Sequence, residues 1–285
     1  MYQEQPTRKP ITITTLAKMK RDREKFAVLT AYDASFAALL EAAGVEVILV
    51  GDSLGMVVQG QGTTVPVTME DMIYHTRIDL SHPDGSARLP HGAVDGGHAF
   101  RQLCHGRASD TQRCPADAGR RCADGQAGGR RLPGRDGPPA RPQRHSGLRP
   151  SLLPQSVHKL GGYKVQGREE AAARQIIDEA LALQDAGADV ALVECIPAEL
   201  GARLTEAFGA RLTEALDIPL IGIGAGSNCD AQVLVSYDML GITAGRRPKF
   251  SKNFLSGRDS AQAAVEAYVH AVKSGEFPGP EHCIA

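Results

Sequence analysis

"KFAVLTAYDASFAALLEAAGVEVILVGDSLGM", residues 25–56, decides the fold class of this chain. "FAVLTA" (26–31) is a short apolar run bounded by polar residues and reads as a buried strand. "DASFAALLEAAG" then places apolar residues at helical spacing, with Asp33 or Ser35 as the N-cap and Gly44 as the stop. "VEVILV" is a second apolar strand, ending in Gly51, Asp52 and Ser53. Strand, helix and strand in that order signal a βα repeat, because two parallel strands need a crossover between them.

The same rhythm returns downstream. "EEAAARQIIDEALALQDAG" (169–187) predicts a helix that ends at Gly187, and the strand "ADVALVE" follows it. A further helix is predicted over 198–216, leading into the strand "IPLIGIG", which runs into "GAG" (224–226). Repeated βα units on this scale favour a (β/α)8 barrel over a doubly wound sheet, although periodicity leaves the second open.

Composition narrows the function. The chain has 285 residues, a net charge of −1 and no apolar run long enough to span a membrane. Near-neutral charge argues against a globally basic nucleic-acid binder. "MYQEQPTRKPITI" lacks the apolar core of a secretory leader, so a cytoplasmic protein is expected. Cys104, Cys114, Cys122, Cys195, Cys229 and Cys283 form no C-x-x-C pair and read as reduced thiols.

In parallel α/β folds ligands bind at the C-terminal ends of the strands. That rule selects Asp52, Ser53, Glu194 and the 224–226 loop. Each also has a plainer reading. Asp52 or Ser53 could cap the next helix. Glu194 could sit in a structural ion pair, since an unpaired carboxylate at the end of an apolar strand is costly. "GIGAG" could be no more than a tight βα turn, and His75 in "YHT" a packed or surface histidine.

Six motifs, in order, add a resemblance. "VGDSLGMVVQG" (50–60), "VPVTMEDMIYHT" (65–76), "GGYKVQGR" (161–168), "LVECIP" (192–197), "IGIGAG" (221–226) and "PKFSKNF" (248–254) resemble the ketopantoate hydroxymethyltransferase family. The resemblance covers blocks 11–76 and 154–275. It implies a single (β/α)8-barrel domain over 1–285, of the phosphoenolpyruvate/pyruvate type, assembled as a homo-oligomer that acts on small molecules. It also implies Mg²⁺, with 5,10-methylenetetrahydrofolate as co-substrate and 3-methyl-2-oxobutanoate as acceptor. The expected chemistry is a metal-stabilised enolate attacking the one-carbon donor to give 2-dehydropantoate. Matched by motif, Asp52 is the metal-binding aspartate and also a substrate-site group. Ser53 contacts the substrate carboxylate, and Glu194 is the catalytic base. A base needs a pKa raised towards neutrality, and the apolar run before Glu194 is consistent with that.

Residues 77–153 break the pattern. They hold 13 Arg and 7 Asp but no Lys, Glu, Tyr or Met, and one each of Ile, Val and Phe. Such a segment cannot offset the entropy of folding by burial, so it is not expected to form family-like structure. The family places an "ADLPF" strand end, a "VK(L/I)EGG" motif and "PVCGHLGLTPQSV" here, yet only "PQSV" (154–157) is readable. The missing groups are a second metal-site Asp, a Lys/Glu pair and a His.

Three origins compete for this stretch. An Arg/Gly-rich nucleic-acid insert would be expected to interleave aromatics, which are absent. A zinc site would be expected to pair its ligands, whereas Cys104, Cys114 and Cys122 stand far apart. A compensated frameshift accounts for more. With permitted codons, "GQAGGRR" (125–131) read one base over gives Val-Lys-Leu-Glu-Gly-Gly. "RHSGLRP" (144–150) in the same frame gives Gly-Ile-Pro-Val-Cys-Gly. The "ADLPF" Asp is not recovered in this way near 88–95. On this reading the literal chain is an unstable, inactive product of a damaged gene copy. A second irregularity, "GARLTEAF" (201–208) followed by "GARLTEAL" (209–216), reads as a local duplication.

Overall fold

The protein is described by a computed structural model covering residues 11–80, 147–150, 165–185, 187–206 and 218–284. The strands are β1 (Phe26–Thr30), β2 (Val47–Leu49), β3 (Gly147–Pro150), β4 (Ala188–Glu194), β5 (Leu220–Ile223) and β6 (Ala231–Leu234). The helices are α1 (Ile13–Arg21), α2 (Ala34–Ala42), α3 (Leu54–Val57), α4 (Met69–Leu80), α5 (Glu170–Asp185), α6 (Ala198–Glu206), α7 (Ser236–Met239) and α8 (Ala261–Ser274).

The opening passage folds as its sequence predicts. Asp33, not Ser35, caps α2, its Oδ1 accepting from the amides of Ser35 and Phe36 at 2.9 Å each. Just past the helix C-cap, Gly44 takes φ 94°, a left-handed conformation that glycine adopts without a steric penalty.

All the strand pairs are parallel, and the order across the sheet is β2-β1-β6-β5-β4-β3. From β3 to β6, and from β1 to β2, every step along the chain moves one strand in the same direction. The first and last strands pair with each other. A doubly wound sheet starts near its middle and reverses direction, so this order excludes that alternative. Only the β2-to-β3 connection jumps from one edge to the other, and residues 81–146 lie within it, outside the described residues. Cys104, Cys114 and Cys122 fall there too, as do most of the positions read as frameshifted.

Period-two alternation sorts the strand residues into two faces. Phe26, Val28, Val47, Val190, Ile221, Ala231 and Val233 form one buried cluster with Leu16 of α1. Val47 and Val190 lie on strands separated by three others, so the sheet curls to bring them into one core. Ala27, Leu29, Ile48 and Leu234 face outward, under α2 and α8. Ala191, Val193 and Leu220 do the same under α5 and α6. This is the curled parallel α/β sheet of the barrel class, with edges β2 and β3 among the described residues.

One expectation is revised, and another is tested only over its first half. The stretch 77–153 is not wholly without family-like order: α4 runs on to Leu80, and Gly147–Pro150 forms a strand parallel to β4. Among the described residues β3 lies at the edge of the sheet, where the missing amide donor of Pro150 breaks no central ladder. The helix predicted over 198–216 is described only as Ala198–Glu206, and 207–217 lie outside the described residues with the second copy of the duplication.

Candidate active site

Glu194 is the last residue of β4 and continues the inner-face series Val190, Leu192. Alternation therefore aims it into the concave side of the sheet, at the C-terminal end. Burial, joined by the negative charge of Asp52, pushes its carboxyl up to about 7. No cation among the described residues offsets these two effects. At neutral pH Glu194 is thus poised between its acid and base forms, the state a proton-transfer group requires.

The backbone turns sharply just after it. Cys195 has φ 51°, left-handed for a residue that is not glycine. Such a conformation costs about 1–2 kcal/mol and persists only where neighbours enforce it. Here the Cys195 amide donates to Ile223 O at 2.8 Å, and its carbonyl accepts from Gln166 N at 3.1 Å. The Cys195 thiol is pushed up to about 12 by burial and by the Glu194 charge, so it remains protonated and is no nucleophile.

Asp52 lies beyond β2, buried, and close enough to act electrostatically on Glu194 and on Tyr32. Ser53 occupies the N-cap position of α3, yet its side chain makes no capping bond. Instead its Oγ meets Tyr32 Oη at 2.6 Å. The capping reading of Ser53 therefore fails. Its hydroxyl faces the loop after β1.

Tyr32 belongs to "TAYD", directly after β1, and is buried. Its phenol is held well above its usual range, first by burial. His75 of α4 lies across it, with Nδ1 2.7 Å from Tyr32 O. A carbonyl can only accept, so His75 donates from Nδ1. His75 is thus a packed histidine that pins the β1 loop.

The "GAG" loop is a packed turn. Gly224 and Gly226 take φ 61° and 84°. A Cβ on Gly226 would come within 2.7 Å of Ala198 Cβ, and one on Gly201 within 2.1 Å of Ala225 O. The small residues let α6 lie against the end of β5.

Sequence reasoning brought Asp52, Ser53 and Glu194 forward but passed over Thr30 and Tyr32. The signal was present: Phe26, Val28 and Thr30 share the inner face by period two, and Thr30 is the polar member at the strand's C-terminal end. Among the described residues no helix is long and apolar enough to cross a membrane. Nor do three or more His, Cys, Asp or Glu side chains gather as a metal cage among them.

A sequence profile of ketopantoate hydroxymethyltransferase matches residues 10–80 and 145–280. The positions between, 81–144, fall within the segment of anomalous composition. Three similar proteins are all named 3-methyl-2-oxobutanoate hydroxymethyltransferase. That of Nitrosococcus oceani is 50% identical over 278 residues, covering 94% of this chain and 97% of its own. That of Alkalilimnicola ehrlichii is 47% identical, covering 99% and 98%. That of Nitrosomonas eutropha is 46% identical, covering 98% and 99%. With matches of this extent on both flanks, and with the strand-end carboxylates in place, the chain belongs to the ketopantoate hydroxymethyltransferase family, a family of transferases.

Proposed function

We propose that the chain transfers a hydroxymethyl group from 5,10-methylenetetrahydrofolate to 3-methyl-2-oxobutanoate, giving 2-dehydropantoate for pantothenate and coenzyme A synthesis. The observation that carries this reading is the pairing of Glu194 with Asp52 at the strand ends, with Glu194 near neutrality. Glu194 is the base that takes the C3 proton of the oxoacid. Ser53 donates a hydrogen bond to the substrate carboxylate. The buried surroundings keep bulk water from competing for the resulting carbanion.

The donor set fits Mg²⁺. The negative charge of Asp52 raises the proton affinity of Glu194, a cation held by Asp52 would relieve that effect, and Mg²⁺ needs only one or two protein oxygens because it keeps waters. Asp52 would hold the ion. When bound, it supplies Lewis acidity that makes the C3 proton easier to remove. The cyclic strand order supports a closed (β/α)8 barrel in one domain. The cytoplasm and a homo-oligomer complete the reading.

Residues 77–153 enter this proposal as a frameshifted stretch, because the profile match omits 81–144. The test compares the literal chain with one in which this stretch is translated in the alternative frame. Formation of 2-dehydropantoate from both substrates, dependent on Mg²⁺, is expected of the restored chain. Without the restored acid–base groups, the literal chain should be slower by about 100-fold or more. A restored chain that folds and makes no 2-dehydropantoate refutes the function. Equal turnover by both refutes the frameshift.

A further inference from the structure

The loop after α7 is strongly basic. Between Asp238 and Asp259 the chain has no acidic residue, while Arg246, Arg247, Lys249 and Lys252 stand within seven positions, all exposed. None of the four makes an ion pair with a described residue. Asp238 is buried and feels Arg247 only through space, and Glu281 lies against His282 instead. Lys249 donates to Cys283 O at 3.1 Å, and Lys252 Nζ lies 5.0 Å from the centre of the Phe254 ring. Arg246 and Arg247 have no hydrogen-bond partner among the described residues. Like charges gathered this densely repel one another, and an anion placed among them relieves that repulsion.

The loop is anchored beside the site. Phe254 is buried, and its amide donates to Met239 O at 2.8 Å. Asn253 Oδ1 accepts from the amides of Leu255 and Ser256, and Ser251 Oγ donates to Pro248 O. Phe250 packs on Gly224, where a Cβ would come within 2.9 Å of its ring. Gly224 directly follows Ile223, the register partner of Glu194. β6, which feeds α7 and the loop, lies between β1 and β5, with Asp52 beyond β2 on one side and Glu194 on β4 on the other. The four cations therefore stand on the rim at the C-terminal ends of the strands.

We propose that Arg246 and Arg247 bind the glutamyl carboxylates of the folate co-substrate, so that donors with a longer glutamyl chain bind more tightly. Lys249 and Lys252 supply the surrounding positive field. The oxoacid offers a single carboxylate, which Ser53 addresses. The one-carbon donor is larger: its reacting methylene lies at the pterin end, and the glutamyl end carries two carboxylates, with one more for each glutamate added. With the methylene brought to Glu194, the glutamyl end extends towards the rim. There the planar fork of an arginine matches a carboxylate with two parallel hydrogen bonds. The inference rests on the reading of the chain as a folate-dependent transferase.

The test is a calorimetric titration of the full-length chain, at low ionic strength, with tetrahydrofolate carrying either one or five γ-linked glutamates. It compares the unmodified protein with Arg246→Gln/Arg247→Gln and with Arg21→Gln/Arg23→Gln. The second pair removes the same charge from exposed positions ahead of β1, at the opposite end of the strands. The unmodified chain should bind the pentaglutamate about tenfold more tightly than the monoglutamate, the sum of two exposed ion pairs. That preference should vanish in the loop variant, persist in the control variant and shrink in high salt, which screens exposed charges. Equal affinity for the two folates overturns the proposal. So does a preference that survives in the loop variant or is lost equally in the control. Failure of the unmodified chain to bind either folate counts against the functional reading of the chain as encoded, and the loop is then judged with γ-linked pentaglutamate alone. Binding of that peptide that weakens in the loop variant and not in the control upholds the anion site. No binding, or binding indifferent to the loop arginines, overturns it.

Discussion

Replacing Glu194 with Gln should change how stability depends on pH. Burial and Asp52 lift the Glu194 carboxyl from about 4.5 to about 7 in the folded chain, while the unfolded chain keeps the ordinary value. Below pH 4.5 both states hold the proton, and Glu194 makes no difference between them. Between the two values the folded state binds more protons than the unfolded one, so stability falls as pH rises. Above pH 7 the whole penalty for a buried anion is present. A shift of this size corresponds to roughly 3 kcal/mol at 1.36 kcal/mol per unit. Gln has nearly the same shape and no proton to lose. Urea unfolding of both proteins at pH 4.5 and pH 8, with chelator and at fixed ionic strength, isolates the effect. The stability of Glu194→Gln relative to the unmodified chain should rise by roughly 3 kcal/mol between the two conditions. Other titrating groups cancel in that difference. If the two proteins follow parallel pH profiles, with a change below about 1 kcal/mol, Glu194 is not the perturbed group and its role as base loses its physical ground.

Asp52→Asn removes the like charge beside Glu194, so the acid limb of the pH–rate profile of the frame-restored enzyme should move to lower pH while the Mg²⁺ dependence weakens; an unmoved limb would separate the two carboxylates. Gly201→Ala places a methyl where Ala225 O already stands, 2.1 Å from the new carbon. Overpacking of that kind should lower stability by about 1–3 kcal/mol in urea unfolding, and unchanged stability would mean that α6 does not lie tightly on the 224–226 turn. Sequencing the gene should show codons for "VK(L/I)EGG" and "PVCGH" in another frame of 77–153; their absence there ends the frameshift reading.

The fold was legible where local chemistry agreed with tertiary need. "FAVLTAYDASFAALLEAAG" announces its strand, its Asp33 cap and its Gly44 stop because each is set within a few residues. The choice between a closed and a doubly wound sheet was not legible, because strand order depends on pairings such as β1 with β6 that join distant parts of the chain. The same divide runs through the site. Asp52 and Glu194 stand at strand ends, a position that sequence reveals. That Asp52 raises Glu194, and that Ser53 binds Tyr32 rather than caps α3, arises from contacts between separate βα units.

The strand order also bears on what residues 81–146 must do. A right-handed βα crossover advances the chain by one strand each time, and the described sheet obeys this at every step but one. At that step the chain would have to pass from β2 at one edge to β3 at the other. An eight-stranded closure removes the jump by inserting two more strands between those edges, each advancing in the same sense. Such strands are buried on both faces and need β-branched residues, as β1 and β4 show with Val28, Val190 and Val193. Residues 81–146 as encoded offer one Val and no Ile. With permitted codons, the other frame can encode "VKLEGG" from residue 125, a pattern suited to a strand end, whereas "GIPVCG" overlaps β3 itself. The geometry of the sheet and the composition of the segment are thus two independent lines of support for the closed barrel and the change of frame proposed above.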